Sequence, residues 1–142
     1  MADPRKDVSF EGIGAVRATF AIDNSTITFS ASSANGSAQV GKAVTLSADG
    51  TVALAGDGEA IVGKLENVDK DNFAVVQVGG FVTLPGGTGA TLTRGASIIG
   101  DLGPSSAKGY IRITDSATAA ELVKGRGRII ENGDTAAVVV QL

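Results

Sequence analysis

The chain has 142 residues, a net charge of −3 and 20 glycines, and it contains neither histidine nor cysteine. That length is typical of one domain, and the two missing residue types exclude the usual general base, thiolate nucleophiles, disulfides and the commonest metal ligands. The acidic balance and the single tyrosine argue against nucleic acid as a partner, and no apolar run is long enough to predict a membrane span.

The first 15 residues are polar and interrupted by glycines, with Val8, Phe10 and Ile13 as the side chains that burial would favour. Arg5 and Lys6 add a small basic pair. We expect an extended arm that becomes ordered against a partner or against the flank of the domain, and a frayed tail is the alternative. No hydrophobic stretch follows its charges, so it is not predicted to be a signal peptide.

Residues 16–31 predict a β-hairpin. Apolar side chains alternate with polar ones from Val16 to Ile22, and Asp23-Asn24-Ser25 is typical of a turn. Ile27 and Phe29 then continue the apolar face on a return strand. A Ser- and Gly-rich tract at 32–37 follows, so we predict an N-terminal arm and hairpin extension at 1–37 and a compact β-rich domain at 38–142.

From Val40 onward the sequence predicts short strands separated by tight turns, including a hairpin around Asp49-Gly50. One helix is expected over 116–124, capped by Thr114 or Asp115 and ended by a left-handed Gly125. The Val-rich end of the chain predicts a strand that is paired inside a sheet. The fold class is therefore all-β, a small barrel or sandwich of short strands with one short helix.

Candidate chemical sites are few. Oxygen-bearing side chains gather at 67–72, but the spacing of known calcium loops is absent, and a solvated turn is expected there. The potential catalytic groups are Asp, Glu, Lys, Ser and Tyr110, and no pairing among them is visible, so we expect no enzyme, no metal and no cofactor. Arg126 and Arg128 form a small basic patch that suits either a charged sheet edge or an acidic protein surface.

The segment 41–142 resembles the capsid decoration proteins of tailed bacteriophages, which stabilise the phage head. The resemblance lies in a rhythm of small residues and turns. It is carried by Ala43-Val44-Thr45-Leu46, Gly50-Thr51-Val52, Gly63-Lys64-Leu65, Val76-Gln77-Val78-Gly79-Gly80, Ser116-Ala117-Thr118-Ala119-Ala120, Gly127-Arg128-Ile129-Ile130-Glu131, Asn132-Gly133-Asp134 and the Val-rich end.

The resemblance implies a structural virion protein on the outer surface of the capsid, made in the host cytoplasm. It would bind as a homotrimer at three-fold and quasi-three-fold positions and clamp neighbouring major capsid subunits. On this hypothesis the arm residues Arg5, Lys6, Val8, Phe10 and Ile13 contact the capsid or a sister subunit, and Arg126 and Arg128 face the capsid. A tail, fibre or cell-surface adhesion domain that binds a host protein or glycan is the alternative.

Overall fold

The computed structural model describes residues 12–115, 117–133 and 137–142, except for the side chains of residues 137 and 138. The described residues form ten strands and one α-helix, α1. Their bounds are β1 Val16–Ile22, β2 Ala43–Ala48, β3 Thr51–Leu54, β4 Gly63–Val68, β5 Phe73–Gly79, β6 Phe81–Pro85, β7 Ile98–Asp101, β8 Tyr110–Ile113, α1 Ala119–Lys124, β9 Arg128–Ile129 and β10 Ala137–Gln141. The all-β prediction with one short helix is confirmed.

Five strands close into a barrel in the order β1-β3-β2-β4-β5, with β5 pairing back onto β1. The pairing of β1 with β3 is parallel and short, whereas the other pairs are antiparallel. The alternating apolar residues of β1 explain this placement, because Phe20 and Ile22 join the barrel core and Arg17 and Thr19 face outward. The Asp49-Gly50 hairpin between β2 and β3 is confirmed, with Gly50 at a φ of 63°.

The hairpin predicted over residues 16–31 is wrong. β1 pairs with β5 and β3, and no strand forms at 27–29. Ile27 is nevertheless fully buried, because the chain turns at Asp23 and inserts this side chain into the barrel core. Alternation correctly indicated that Ile22 and Ile27 are buried, but it also placed Val16 and Phe29 on the apolar face, and both are exposed. It carried no information about which strand is the partner.

The division into 1–37 and 38–142 stays a prediction, although β1 from the first range lies between two barrel strands of the second. The Ser- and Gly-rich tract contacts the barrel at Gly36. It holds a short 3₁₀ turn, Ala34–Gly36, and a Cβ on Gly36 would lie 1.8 Å from the carbonyl oxygen of Val68 in β4.

The second half of the chain forms two smaller sheets, one in the order β6-β10-β9 and the other pairing β7 with β8. Their apolar side chains make a core of their own, which includes Val82, Leu84, Ile98, Ile111 and Val140. Three residues from the barrel half also enter this core, namely Ala43, Ala55 and Ile61. The terminal strand β10 lies between β6 and β9, so the prediction that it is paired inside a sheet is confirmed.

Helix α1 is shorter than predicted and begins three residues later, at Ala119 after Thr118. Asp115 instead stabilises the preceding turn, because its carboxylate accepts hydrogen bonds from the Ala117 amide and the Thr118 hydroxyl. The predicted left-handed cap at Gly125 is wrong, since its φ is −59°. A Cβ at this glycine would lie 2.6 Å from Thr114 Cγ2, so close packing accounts for the glycine.

Candidate binding surface

The predicted arm joins the fold beside β6. Its residues Arg5, Lys6, Val8 and Phe10 lie outside the described residues, whereas Ile13 is described. The Gly12 amide donates to the carbonyl oxygen of Phe81 at 3.0 Å, and the Phe81 amide donates to the carbonyl oxygen of Ile13 at 3.0 Å. The arm therefore enters the fold at a fixed point on the first residue of β6.

Two aliphatic side chains stand in solvent at this entry point. Ile13 is 52% exposed and Val16, the first residue of β1, is 58% exposed. Gly79 lies against Val16, and a Cβ built on it would lie 3.4 Å from the Val16 Cβ. We call Ile13 and Val16 the arm-exit patch, because both side chains are exposed where the arm enters the fold.

Gly80 allows the backbone of the arm at Ile13 to lie close to the bend between β5 and β6. Gly80 has a φ of +87°, and a Cβ there would lie 2.5 Å from the carbonyl oxygen of Ile13. A side chain at Gly80 would therefore strain the bend between β5 and β6 and push the arm away from it. Gln77, buried at the end of β5, donates from its side-chain amide to the carbonyl oxygens of Gly79 and Phe81 and fixes the same bend.

The two arginines of the predicted basic patch have different environments. Arg126 is half-buried, and its guanidinium donates to the carbonyl oxygens of Val62, at 2.6 Å, and Val78. It thereby joins the segment before β9 to the barrel. Arg128 is exposed, with one hydrogen bond of 3.1 Å to the carbonyl oxygen of Gly95. A capsid-facing role for the pair stays a prediction, and intramolecular bonds already engage the guanidinium of Arg126.

An ion network that the sequence did not predict connects β8 to α1. Arg112 on β8 binds both carboxylate oxygens of Glu121 in α1, at 2.9 and 2.6 Å, and its Nε binds Asp57 at 2.9 Å. The hydrogen bonds from Arg112, and then the one from the Asp115 amide, lower the pKa of Glu121 to about 2. Glu121 raises the pKa of Arg112 in return. The sequence showed these residues as isolated charges, because only the folded chain brings them together.

Polar residues elsewhere build turns. Asp69 Oδ1 accepts hydrogen bonds from the Asp71 and Phe73 amides, which confirms the turn expected at 67–72. Asp23 organises the turn after β1 in the same way. Its partial burial alone would raise the pKa, but hydrogen bonds from the Ile27 amide and then from Thr26 and Ser25 lower it to about 2.

Further exposed apolar side chains lie at the other end of the barrel. Leu46 in β2 is 54% exposed and Phe73 in β5 is 48% exposed. Leu46 pairs with Val52, which pairs with Ile22 at the end of β1, and Phe73 is opposite Ala21. Val16, at the other end of β1, is opposite Gly79. About five residues of β1 separate the two ends, or roughly 17 Å at the usual rise per residue. Leu46 therefore offers a matched control for Val16, equally exposed but remote from the arm.

Over the described ranges, no group of three or more acidic side chains is placed to hold a metal ion. In the same part of the chain, no helix has the length and apolar character needed to cross a membrane. Comparisons with models of protein families, with curated proteins and with solved structures find no match to this chain.

Proposed function

We propose that this protein is a structural virion protein that binds the outer surface of a phage capsid as a homotrimer. It occupies three-fold and quasi-three-fold positions and clamps neighbouring major capsid subunits. The single observation that carries the proposal is the arm-exit patch, where Ile13 and Val16 are more than half exposed at the point from which the arm leaves the barrel. The resemblance of 41–142 to phage decoration proteins supplies the identity of the partner.

The mechanism is burial of apolar surface without chemistry. Covering the exposed half of an aliphatic side chain contributes about 1–1.5 kcal/mol, so one patch alone binds weakly. Val8 and Phe10 would add further apolar area from the arm. Three patches and three arms on one trimer act through effective concentration, and on a repeating surface that raises the overall affinity strongly.

The rigid attachment of the arm supports this mechanism. The backbone bonds between Gly12, Ile13 and Phe81 fix the point at which the arm leaves the barrel. Less entropy is then lost on binding than with an arm that joins through a free linker.

The experiment is co-sedimentation with expanded capsids assembled from the major capsid protein of a tailed bacteriophage. We expect the full chain to pellet with capsids and the Val16→Ser variant to bind about 100-fold more weakly, because each of the three patches on a trimer loses about 1 kcal/mol of apolar burial. Leu46→Ser is the control and should bind as the unaltered protein does, because it exposes a similar area at the other end of the barrel. Equal binding by all three proteins would contradict the role of the arm-exit patch.

Absence of any capsid binding by the full chain would overturn the proposal itself. The adhesion alternative would then be tested by binding of the same protein to host cells in the absence of capsids.

A further inference from the structure

Residues 117–124, which include α1, lie between two anchors, Thr114 and Arg126, that pair with adjacent residues at the start of β7. Before it, the Thr114 amide donates to the carbonyl oxygen of Ser97 at 3.1 Å. After it, Arg126 and Ile98 exchange backbone hydrogen bonds of 3.1 and 2.9 Å. Both ends are thus anchored at adjacent residues beside and within β7. We call residues 117–124 the α1 flap.

The α1 flap contributes nothing to either hydrophobic core. No residue of α1 is buried, and Leu122 and Val123 are 53% and 86% exposed. Short helices in proteins owe most of their stability to an apolar face packed on the core, and a six-residue helix is unstable in isolation. Something other than apolar packing must therefore hold this helix against the body of the protein.

The Glu121 carboxylate provides that attachment. It receives two hydrogen bonds from Arg112 on β8, at 2.9 and 2.6 Å, and a third from the Asp115 amide at 2.8 Å. Asp57, in the turn at 56–58, orients the same guanidinium from its other side at 2.9 Å. Among the described residues, Glu121 is the one flap residue whose side chain hydrogen-bonds to a β-strand of the body.

We propose that the α1 flap opens and closes as a unit and that the Arg112–Glu121 ion pair is the latch that holds it closed. The anchors beside β7 form the hinge, because their backbone hydrogen bonds do not involve the Arg112–Glu121 pair. The side chains of the latch are 23% and 17% exposed, so water and salt reach the pair. Opening leaves Arg112 paired with Asp57. This inference does not depend on the proposed function.

Hydrogen exchange measured by mass spectrometry or NMR tests the proposal on the full chain. The variant Glu121→Gln keeps the shape of the side chain and one acceptor oxygen but removes the charge. Because a six-residue helix unfolds once it is released from the body, opening also breaks its internal hydrogen bonds. We therefore expect the amides of Leu122 in the flap and of Gly125 just after it, which donate to the carbonyl oxygens of Thr118 and Glu121, to exchange about fivefold faster in this variant. The Ile98 and Thr114 amides at the hinge should keep their rates.

A matched control is Glu66→Gln, which removes the charge from the Arg17–Glu66 pair on the barrel, a contact of 2.6 Å. It should leave exchange in the α1 flap unchanged. Raising the salt concentration from about 0.01 M to about 1 M should accelerate flap exchange in the unaltered protein but not in Glu121→Gln, because salt screens a charge pair.

Two results would overturn the proposal. One is unchanged exchange of the flap amides in Glu121→Gln, since the pair would then hold nothing. The other is an equal acceleration of the flap and hinge amides, since the flap would then open only when the whole domain unfolds.

Discussion

The Asp23 carboxylate organises the turn that follows β1, where the predicted return strand does not form. Its carboxylate accepts hydrogen bonds from the amides of Ser25, Thr26 and Ile27 and from two hydroxyls. Thr26 Oγ1 in turn accepts from the Leu54 amide in β3 at 2.9 Å. The turn therefore positions Ile27 in the barrel core. We expect Asp23→Ala to lower the free energy of unfolding by about 2 kcal/mol, because it leaves several amides without acceptors.

Urea unfolding measures this loss. Asp71→Ala is the control, because Asp71 lies on an exposed turn in which its backbone amide, rather than its carboxylate, makes the hydrogen bond. Its free energy of unfolding should change by less than about 0.5 kcal/mol. Equal losses in the two variants would show that the Asp23 carboxylate does not organise its turn.

The same carboxylate makes stability depend on pH. Its pKa is about 2 in the folded protein and near its ordinary value of 3.8 in the unfolded chain. The unfolded state therefore binds a proton first, so the stabilisation is complete above pH 3.8 and is lost as the pH falls through about 2. We expect Asp23→Asn to reduce the loss of stability between about pH 5 and about pH 2, measured by urea unfolding at both values. An unchanged pH dependence would contradict this account of Asp23.

Arg126 has a structural role that its sequence neighbours do not reveal. Its guanidinium donates hydrogen bonds to two backbone carbonyl oxygens of the barrel half, at Val62 and Val78. We expect Arg126→Met to lower the free energy of unfolding by about 3 kcal/mol, because both acceptors lose a charged donor. Arg128→Met is the control and should cost less than about 0.5 kcal/mol, since that side chain is exposed. Thermal or urea unfolding of the two variants would reveal the difference, and equal stability would contradict it.

At the level of elements, β1 completes the barrel by pairing with β3 and β5. A fragment of residues 38–142 lacks β1 and exposes two unpaired strand edges and part of the barrel core. We expect this fragment to be unfolded or aggregated, whereas a chain that begins at residue 12 keeps every barrel strand and folds. Circular dichroism and size-exclusion chromatography distinguish the two, and a cooperatively folded 38–142 fragment would contradict the role of β1.

The sequence predicted where strands form better than it predicted which strands pair. Local signals were sufficient for β2 and β3, where Asp49-Gly50 encodes the turn between adjacent strands, and for β10, whose apolar run required two neighbours. The pairing of β1 with β5 joins residues more than 50 positions apart, and no local pattern encodes such a contact. The exposure of Val16 depends on that pairing too, so alternation alone assigned it to the buried face.

The ion network around Arg112 could not be predicted from the sequence for a similar reason. Arg112, Glu121 and Asp57 come from a strand, a helix and a turn, and nothing in their spacing indicates that they meet. The arm was predictable as a polar segment with a few apolar residues. Its point of attachment was not, because it depends on the bend at Gly79-Gly80 and on Phe81.

At the level of the whole molecule, the proposed trimer can be tested by the mass of the purified protein. The chain divides its apolar residues between two modest cores and leaves several aliphatic side chains in solvent, so assembly would add burial that the monomer lacks. We expect the purified protein to have three times the mass of one chain by light scattering after size-exclusion chromatography. A single-chain mass at every concentration would contradict a trimer that forms before binding.

We propose above that this protein binds the capsid surface at three-fold and quasi-three-fold positions. The most direct measurement is an electron cryo-microscopy reconstruction of expanded capsids mixed with saturating full-length protein. We predict added density on the outer surface, with three copies around each local three-fold axis and apolar contacts made beside Ile13 and Val16. Capsids that remain bare, or density confined to other symmetry positions, would contradict the account.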